Sequence, residues 1–344
     1  MSVKEMRLFH SRVFIGRGKE QLMNYLPGEK RVIVVTERKL LMLYADFLSP
    51  FEVITIEGGE EHKTWNTVET IIRALMEKEA DRETFIVAFG GGIVCDVVGF
   101  AASVYMRGCS FGFVPTTLLA QVDASVGGKN GINFQGYKNM IGVFRQPEFV
   151  LCDPTFLTTL GERDYVSGLA EVVKAAVIGD AALFSYLEGH VEEILRRESV
   201  CLTRLVGDAV QVKIRIVQAD EREGGVRRLL NLGHTLAHAI EKQQVGLHGE
   251  AVSVGLCWVA CIAVRLGILA DADYQRLVAL LKDLHLPTRV DIPLNALQKA
   301  IRRDKKRTGG GIHLILPREI GVCEDRIVSL QQLNEWLQEC DTLQ

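Results

Sequence analysis

Two patterns of hydrophobic residues divide the chain near residue 160. In the first half, short β-branched runs such as RVIVVTE (31–37) and FEVITIE (51–57) are typical of buried strands. Between residues 60 and 80 the apolar residues recur at helical spacing, and ETFIVAFGGG (83–92) is again a buried run, which ends in three glycines. A strand, a helix and a strand with a glycine-rich exit predict a parallel α/β sheet. Residues 109–117 and 148–154 predict two further strands.

After residue 160 the pattern becomes helical, with long amphipathic stretches and few β-branched runs. The run AVSVGLCWVACIAV (251–264) is shorter than the roughly 18 apolar residues of a membrane span, so we predict a buried helix. The predicted fold is therefore α/β, with a Rossmann-like parallel-sheet domain over 1–162 and a mostly α-helical domain over 163–344. No low-complexity linker separates them, and a cleft between the two is the expected place for a ligand.

Composition excludes some classes of function. A formal net charge of −3 gives no electrostatic reason to expect nucleic acid as a partner. None of the eight cysteines forms a CxxC pair, and the N-terminal residues show no apolar signal region, so we expect a reducing, cytoplasmic location and no membrane.

The densest candidate chemistry lies in RRLLNLGHTLAHAIE (227–241) and the following LHGEAV (247–252). Three of the eight histidines of the chain fall here, at positions 234, 238 and 248. Imidazole binds metals and transfers protons near neutral pH. Spacing alone pairs His234 with His238 as metal ligands, because residues i and i+4 share a helix face. The alternative is that these histidines are ordinary core or surface side chains.

Three other segments carry candidate residues. Gly90, Gly91 and Gly92 allow a phosphate to approach the start of a helix, although they do not match the G-x-G-x-x-G fingerprint and could form only a tight turn. The segment 122–142, rich in glycine, lysine and asparagine, predicts a long polar loop that binds an anion or a polyol, or else a plain surface loop.

Helix GLAEVVK places Glu171 and Lys174 on one face among apolar neighbours, which indicates burial and a need for partners such as a metal. Lys213 and Arg227 lie on segments that lead to the histidines, and two such cations suit a carboxylate. The basic run 302–307 is by default a solvated face.

At these motifs the chain resembles the 3-dehydroquinate synthases, a family of sugar phosphate cyclases. The resemblance extends from about Gly58 to about Gly321, and it is densest in GGGIVCDVVGFAASVYMRG, VPTTLLAQVDASVGGKNGIN, YKNMIG, GLAEVVK, DEREGG, LNLGHTLAHAIE, LHGEAV and RDKK. It implies a lyase that uses NAD+ and one divalent metal, Zn²⁺ or Co²⁺. Such an enzyme converts 3-deoxy-D-arabino-heptulosonate 7-phosphate into 3-dehydroquinate and phosphate, a step of the shikimate pathway, by transient oxidation, phosphate elimination, re-reduction and aldol closure.

The resemblance also implies roles for individual residues. The implied metal ligands are Glu171, His234 and His248, which replaces the pairing that spacing suggests. Catalytic or ring-hydroxyl contacts fall on Asp123, Lys129, Lys174, Asn231 and His238. Substrate-binding positions are Arg107, Asn139, Lys213, Arg227 and one of Lys305 and Lys306, with Arg107 reaching the phosphate from the partner subunit of a homodimer. The implied NAD contacts are Glu60, Lys63, Gly91, Gly92, Asp96, Thr116, Thr117 and Lys138.

Some positions depart from the family pattern. Cys95 stands where glycine is common, and Leu236-Ala237 where Phe-Gly is common, with no expected loss of chemistry. Glu37 stands where a shorter Asp or Asn often meets the adenine ribose, which leaves that contact open.

Three alternatives compete with this function. Another sugar phosphate cyclase would make a cyclitol or an amino analogue, and the paired cations Lys213 and Arg227 argue for a substrate with a carboxylate instead. A polyol dehydrogenase of the same architecture would release NADH. A catalytically inactive binding protein would not need the complete set of candidate residues.

Overall fold

The computed structural model describes residues 3–28, 30–243, 246–305 and 311–341, with the side chains of all of these except 303–305. The chain separates into two compact units, Met1–Leu160 and Gly161–Gln344, called unit 1 and unit 2 below.

Unit 1 is built on a seven-stranded sheet. Its strands are β1 (Lys4–Leu8), β2 (Ser11–Ile15), β3 (Val32–Glu37), β4 (Glu52–Ile56), β5 (Phe85–Gly90), β6 (Phe111–Pro115) and β9 (Phe149–Cys152), and a separate hairpin contains β7 (Lys129–Phe134) and β8 (Tyr137–Phe144). The helices are α1 (Leu22–Tyr25), α2 (Arg38–Leu43), α3 (Ala45–Leu48), α4 (Trp65–Glu77) and α5 (Gly92–Val104). The strand order is β1-β2-β9-β6-β5-β3-β4, and every pairing is parallel except that of β1 with β2. The parallel α/β sheet predicted from the sequence is confirmed.

The strands are buried because α helices cover the sheet. Every residue of β5 and β6 is buried, as the continuous apolar runs predicted. Part of the core is an aromatic cluster in which Phe89 and Phe156 pack edge to face at 5.2 Å between ring centroids. In a parallel sheet all carboxyl ends lie on one edge, so the residues after β3, β5 and β6 emerge together.

Unit 2 is mostly helical. Its helices are α6 (Glu162–Gly179), α7 (Ala181–Gly189), α8 (Val191–Leu195), α9 (Ser199–Ala219), α10 (His234–Glu241), α11 (His248–Arg265), α12 (Asp271–Asp283), α13 (Leu294–Lys305) and α14 (Leu330–Asp341). One antiparallel hairpin, β10 (Ile312–Glu319) with β11 (Val322–Val328), was not predicted. Within the described residues, α11 alone is long and apolar enough to cross a membrane, but 78% of it is buried in the fold. The predicted buried core helix is thus confirmed.

The segment 122–142 corrects a sequence prediction, because it is not a long loop. A π-helical turn at Ala120–Ala124 leads into the hairpin of β7 and β8. Gly131 and Gly142 face each other across this hairpin, and a Cβ at either position would lie 2.6 or 2.4 Å from a backbone oxygen of the opposite strand. These glycines therefore serve a close approach of two strands, whereas in the sequence they resemble loop residues.

Candidate metal centre and cofactor-binding residues

Three side chains from three helices of unit 2 converge on one point. Glu171 on α6, His234 at the start of α10 and His248 at the start of α11 offer ligand atoms that all lie within 4.8 Å of one another. Among the described residues, this is the one group of three or more His, Cys, Asp or Glu side chains placed closely enough to hold a metal ion.

Glu171 occupies the most enclosed position of this cluster. Helix α6 is buried on every side from Tyr165 to Ile178, so Glu171 is 2% exposed, and Lys174 one turn later is 3% exposed. The Lys174 ammonium forms an ion pair with Glu171 Oε2. The other oxygen, Oε1, faces the two histidines, at 3.7 Å from His234 Nε2 and 3.2 Å from His248 Nε2. A buried carboxylate is tolerated here because cationic and imidazole groups surround it.

His234 is held as a neutral ligand. Burial, together with the nearby Lys174 ammonium, lowers the pKa of His234 to about 3. Its Nδ1 lies 3.1 Å from the backbone oxygen of Leu232. A neutral ring that donates from Nδ1 to this carbonyl directs the lone pair of Nε2 toward Glu171.

His248 has the opposite electrostatic environment. Burial alone would lower its pKa, but hydrogen bonds to Glu171 and Glu241 raise the pKa of His248 to about 10. Its Nδ1 lies 3.1 Å from Glu241 Oε1. In the absence of a metal the ring is therefore protonated and bridges two carboxylates.

Glycine contacts determine how closely the three helices approach. A Cβ on Gly249 would lie 1.8 Å from the backbone oxygen of Ser167, and the Gly249 amide donates to Ser167 Oγ at 3.0 Å. A Cβ on Gly255 would lie 2.3 Å from the backbone oxygen of Gly233, which has a left-handed φ of 77°. These contacts bring α11 against α6 and α10, directly beside His248 and His234.

The donor set fits a divalent transition metal. One carboxylate and two imidazoles are the ligands of a zinc site with an open coordination position. His238, which the i, i+4 spacing would have paired with His234, lies outside this group. Its ring is exposed and stands at 88° to the His234 ring, with 5.5 Å between the centroids.

A short segment before α10 carries two further candidate residues of unit 2, Arg227 and Asn231. The 3₁₀ helix Val226–Asn231 packs against α9, which bears Lys213. Asp220 stabilises the turn that leads into this 3₁₀ helix. Its carboxylate accepts hydrogen bonds from the backbone N–H groups of Gly224, Gly225 and Arg227 at 2.7 to 3.1 Å. These hydrogen bonds, of which that from Gly225 is the strongest, hold the pKa of Asp220 below its usual value.

Arg227 and Lys213 are both buried, at 2% and 8% exposure. The Arg227 guanidinium donates to the backbone oxygen of Glu221, and Asn231 donates to Glu223 Oε1 at 2.7 Å. Lys305 ends α13, but its side chain lies outside the described part of the chain, as does all of Lys306.

In unit 1, the predicted cofactor residues form a polar cluster around Lys63. Lys63 as a residue is 5% exposed, and its ammonium donates to Asp96 Oδ2 at 2.5 Å and to Asn139 Oδ1 at 2.6 Å. Glu60 belongs to the same cluster. Asn133 Nδ2 donates to Glu60 Oε1 at 2.9 Å, and Lys138 Nζ lies 3.8 Å from the same oxygen. The structure therefore brings together residues from three separate segments, since Asp96 lies 33 and Asn139 lies 76 positions after Lys63 in the sequence.

The glycines after β5 form the start of a helix. Gly91 precedes α5 and Gly92 is its first residue, so the free N–H groups of the first turn point out of this end. A Cβ on Gly91 would lie 3.2 Å from Thr117 Cγ2. Thr116 and Thr117 follow β6, the strand beside β5. An anion can approach here because the turn carries no side chain.

The remaining predicted residues of unit 1 lie on exposed or partly exposed positions. Asp123 is in the π-helical turn and Lys129 begins β7. Arg107 is exposed just after α5, where it and Met106 both have left-handed φ values, 68° and 48°. Glu37 ends β3 in a half-buried position, and burial raises the pKa of its carboxyl.

Sequence reasoning missed the residues that support the metal cluster. No local sequence pattern indicates the role of Ser167, Gly249 and Gly255, because each of them contacts a segment that is distant in the sequence. Glu241 had a signal, because it follows His238 by three residues and His234 by seven, which places it on their helix face.

Comparison with known proteins supports this description. The family model of the 3-dehydroquinate synthase N-terminal region matches residues 53–167, and that of the C-terminal region matches residues 168–307. A 3-dehydroquinate synthase of Halorhodospira halophila is 45% identical over 320 residues, which cover 90% of each chain.

Solved structures share the fold. The 2-epi-5-epi-valiolone synthase ValA from Streptomyces hygroscopicus, with NAD+ and Zn²⁺ bound, matches with a TM-score of 0.89 and 29% identity over 100% of this chain and 99% of that one. A 2-deoxy-scyllo-inosose synthase complexed with carbaglucose-6-phosphate, NAD+ and Co²⁺ has a TM-score of 0.88 at 24% identity, over 98% of this chain and 100% of that one, and supports the fold alone. The chain therefore shares its fold with a valiolone synthase that was solved with NAD+ and Zn²⁺ bound. The chain belongs to the 3-dehydroquinate synthase family.

Proposed function

We propose that this chain is a 3-dehydroquinate synthase, which converts 3-deoxy-D-arabino-heptulosonate 7-phosphate into 3-dehydroquinate and phosphate in the shikimate pathway. The observation that carries the proposal is the cluster of Glu171, His234 and His248, in a chain whose two halves both match the family. As an enzyme it would be a phosphate-eliminating carbon–oxygen lyase that works in the cytoplasm.

The cofactors of this reaction are NAD+ and one divalent metal, Zn²⁺ or Co²⁺. When bound, NAD+ accepts and returns a hydride, and the metal polarises the substrate hydroxyls as a Lewis acid. Glu171, His234 and His248 would hold the metal. This assignment is supported by the neutral state of His234 and by the convergence of the three ligand atoms.

The residues around the cluster have roles in substrate binding. Lys174 is buried beside Glu171, so its ammonium is suited to donate to a ring hydroxyl next to the metal. We assign Asn231 and His238 to the substrate, with His238 near the phosphate. Lys213 and Arg227 are the cations that would hold the substrate carboxylate, and Lys305 or Lys306 would contact the phosphate.

In unit 1, the glycine turn and the Lys63 cluster suit a dinucleotide. Gly91 and Gly92 leave the first turn of α5 open to its pyrophosphate, and Asp96 and Lys63 offer hydrogen bonds to its polar groups. The other NAD contacts that we propose are Glu60, Thr116, Thr117 and Lys138. Asp123, Lys129 and Asn139 would bind the substrate. Residues 1–162 thus form the NAD-binding domain and 163–344 the metal- and substrate-binding domain.

A homodimer completes this proposal. Arg107 would bind the substrate phosphate of the partner subunit. Its exposed position just after α5 suits a contact outside its own subunit.

The test is an assay of phosphate release from the heptulosonate phosphate with trace NAD+ and Zn²⁺ or Co²⁺. We expect phosphate without net NADH. Absence of phosphate from wild-type protein of full metal content would refute the function, and net NADH with glycerol as substrate would indicate a polyol dehydrogenase instead. The variant His248→Ala is expected to lose metal and activity while it keeps its circular dichroism spectrum.

A second candidate is a cyclase for a substrate without a carboxylate, which the similarity to ValA favours. Two buried cations on elements that pack together, Lys213 on α9 and Arg227 on the 3₁₀ helix, argue against it, because two such cations suit a carboxylate. A seven-carbon ketose 7-phosphate that lacks the carboxylate distinguishes the two. We expect it to be turned over at least 100-fold more slowly than the acid, and equal rates would favour the second candidate.

A further inference from the structure

We propose that Glu241 is a positioning residue of the metal centre, which orients His248 and holds its metal-binding nitrogen in place. The proposal rests on the metal site of the proposed function and extends it by one residue that does not touch the metal. Glu241 is the last residue of α10, and its side chain is 10% exposed.

The two nitrogens of His248 have separate partners. Nδ1 lies 3.1 Å from Glu241 Oε1, and Nε2 lies 3.2 Å from Glu171 Oε1. A carboxylate at Nδ1 keeps the proton on that nitrogen, which leaves the lone pair of Nε2 for a metal. Glu241 therefore fixes both the tautomer and the rotation of the ring.

His248 depends on such a partner more than His234 does. The His234 side chain is 11% exposed and its Nδ1 faces the backbone oxygen of Leu232, so the fold itself orients this ring. The His248 side chain is 32% exposed, and the group that orients its ring is a side chain. Removal of that side chain frees the ring to rotate about χ1 and χ2.

Glu241 also links two ligand helices. It stands two turns after His234 on α10 and reaches His248 on α11, so one helix supplies a ligand and the orienting group of another ligand. Its negative charge increases the basicity of the His248 ring and helps to neutralise a divalent cation. Glu171 provides less of this charge, because Lys174 is paired with it.

The experiment measures zinc affinity by competition with a chromophoric chelator, for wild-type protein and for Glu241→Gln and Glu241→Ala. Loss of such an orienting partner costs metal sites about 10- to 100-fold in affinity. We expect Glu241→Ala to lie in this range. Glu241→Gln keeps an acceptor oxygen but loses the charge, so we expect a smaller loss. The matched control is Glu188→Gln, a glutamate of unit 2 that pairs with Arg276 at the surface.

Two further measurements separate positioning from folding. The metal-free variants are expected to keep the wild-type circular dichroism spectrum and a cooperative unfolding transition, and the visible spectrum of the Co²⁺ form is expected to change in Glu241→Gln, because the ligand field reports the orientation of His248. If Glu241→Ala damages the fold, the zinc affinity and the Co²⁺ spectrum of Glu241→Gln still test the inference. Wild-type zinc affinity and an unchanged Co²⁺ spectrum in Glu241→Gln and Glu241→Ala would overturn the inference alone. Failure of the wild-type protein to bind zinc would overturn the proposed metal site with it.

Discussion

The metal cluster of unit 2 and the Lys63 cluster of unit 1 are assembled in different ways. Glu171, His234 and His248 come from three buried helices whose separation is set by backbone contacts at Gly249 and Gly255. The Lys63 cluster consists of side-chain hydrogen bonds between a short 3₁₀ segment, a helix and a hairpin. A close-packed helix junction holds the metal ligands in position before the metal binds. Polar side chains, in contrast, can exchange hydrogen-bond partners when a cofactor binds.

The most severe test of this difference is Gly249→Ala. The added methyl group would lie 1.8 Å from the Ser167 backbone oxygen, so α11 must move away from α6. We expect a loss of about 3 kcal/mol in the free energy of unfolding and loss of stoichiometric zinc. Urea unfolding and metal analysis provide the measurements. Gly189→Ala, where no atom lies within 4 Å of the added carbon, is the control. A stable variant with full zinc would show that the helix junction is not rigid.

Lys63→Met tests whether the two clusters act independently. The ammonium that links Asp96 and Asn139 is removed, and with it the hydrogen bond that Lys63 donates to NAD+ in the proposed function, since a hydrogen bond from a charged group contributes about 1.5–3 kcal/mol. We therefore expect the Kd for NAD+ to rise on the order of 10- to 100-fold, while zinc content stays at the wild-type level. Fluorescence titration with NADH and metal analysis measure the two quantities. Lys78→Met, at a surface ion pair with Glu52, is the control. A parallel loss of zinc would mean that the two clusters are coupled.

The opposite charge states of the two histidines predict a pH dependence of metal binding. With a pKa of about 10, His248 is protonated at neutral pH and must release its proton to bind a metal, whereas His234, with a pKa of about 3, is already neutral. Affinity should thus rise about tenfold per pH unit between pH 6.5 and 8, with about one proton released per ion. Calorimetry in buffers of different ionisation enthalpy counts the protons. Release of none, or of two, would contradict these assignments.

The smallest expected effect is that of Gly91→Ala in the glycine turn of unit 1. Gly91 has a φ of −72°, which any residue adopts, and the added Cβ would lie 3.2 Å from Thr117 Cγ2, a contact that a shift of a few tenths of an ångström relieves. We expect a change below about 1 kcal/mol in the free energy of unfolding, with a few-fold weaker binding of NAD+. Denaturant titration compares this variant directly with Gly249→Ala. A destabilisation as large as that of Gly249→Ala would remove the distinction between the two clusters.

The elements of the fold were largely predictable because their signals are local. Continuous β-branched runs predicted β3, β4 and β5 within two residues of their observed ends, and the apolar run at 251–264 predicted a buried helix. The hairpin of β7 and β8 escaped prediction because its glycines resemble those of a loop, although Gly131 and Gly142 form a cross-strand contact.

The candidate site was predictable only in part. The sequence alone determined that histidines are concentrated between residues 234 and 248 and that Glu171 and Lys174 lie on a buried helix, because periodicity and composition are properties of neighbouring residues. From helical spacing, His238 was the expected partner of His234. The family resemblance implied Glu171 and His248 as its partners instead, but only the tertiary structure shows how these three side chains meet and that Glu241 orients His248. The physical reason is that the helices approach through glycine contacts between distant segments, and no local pattern encodes which backbone atoms will touch.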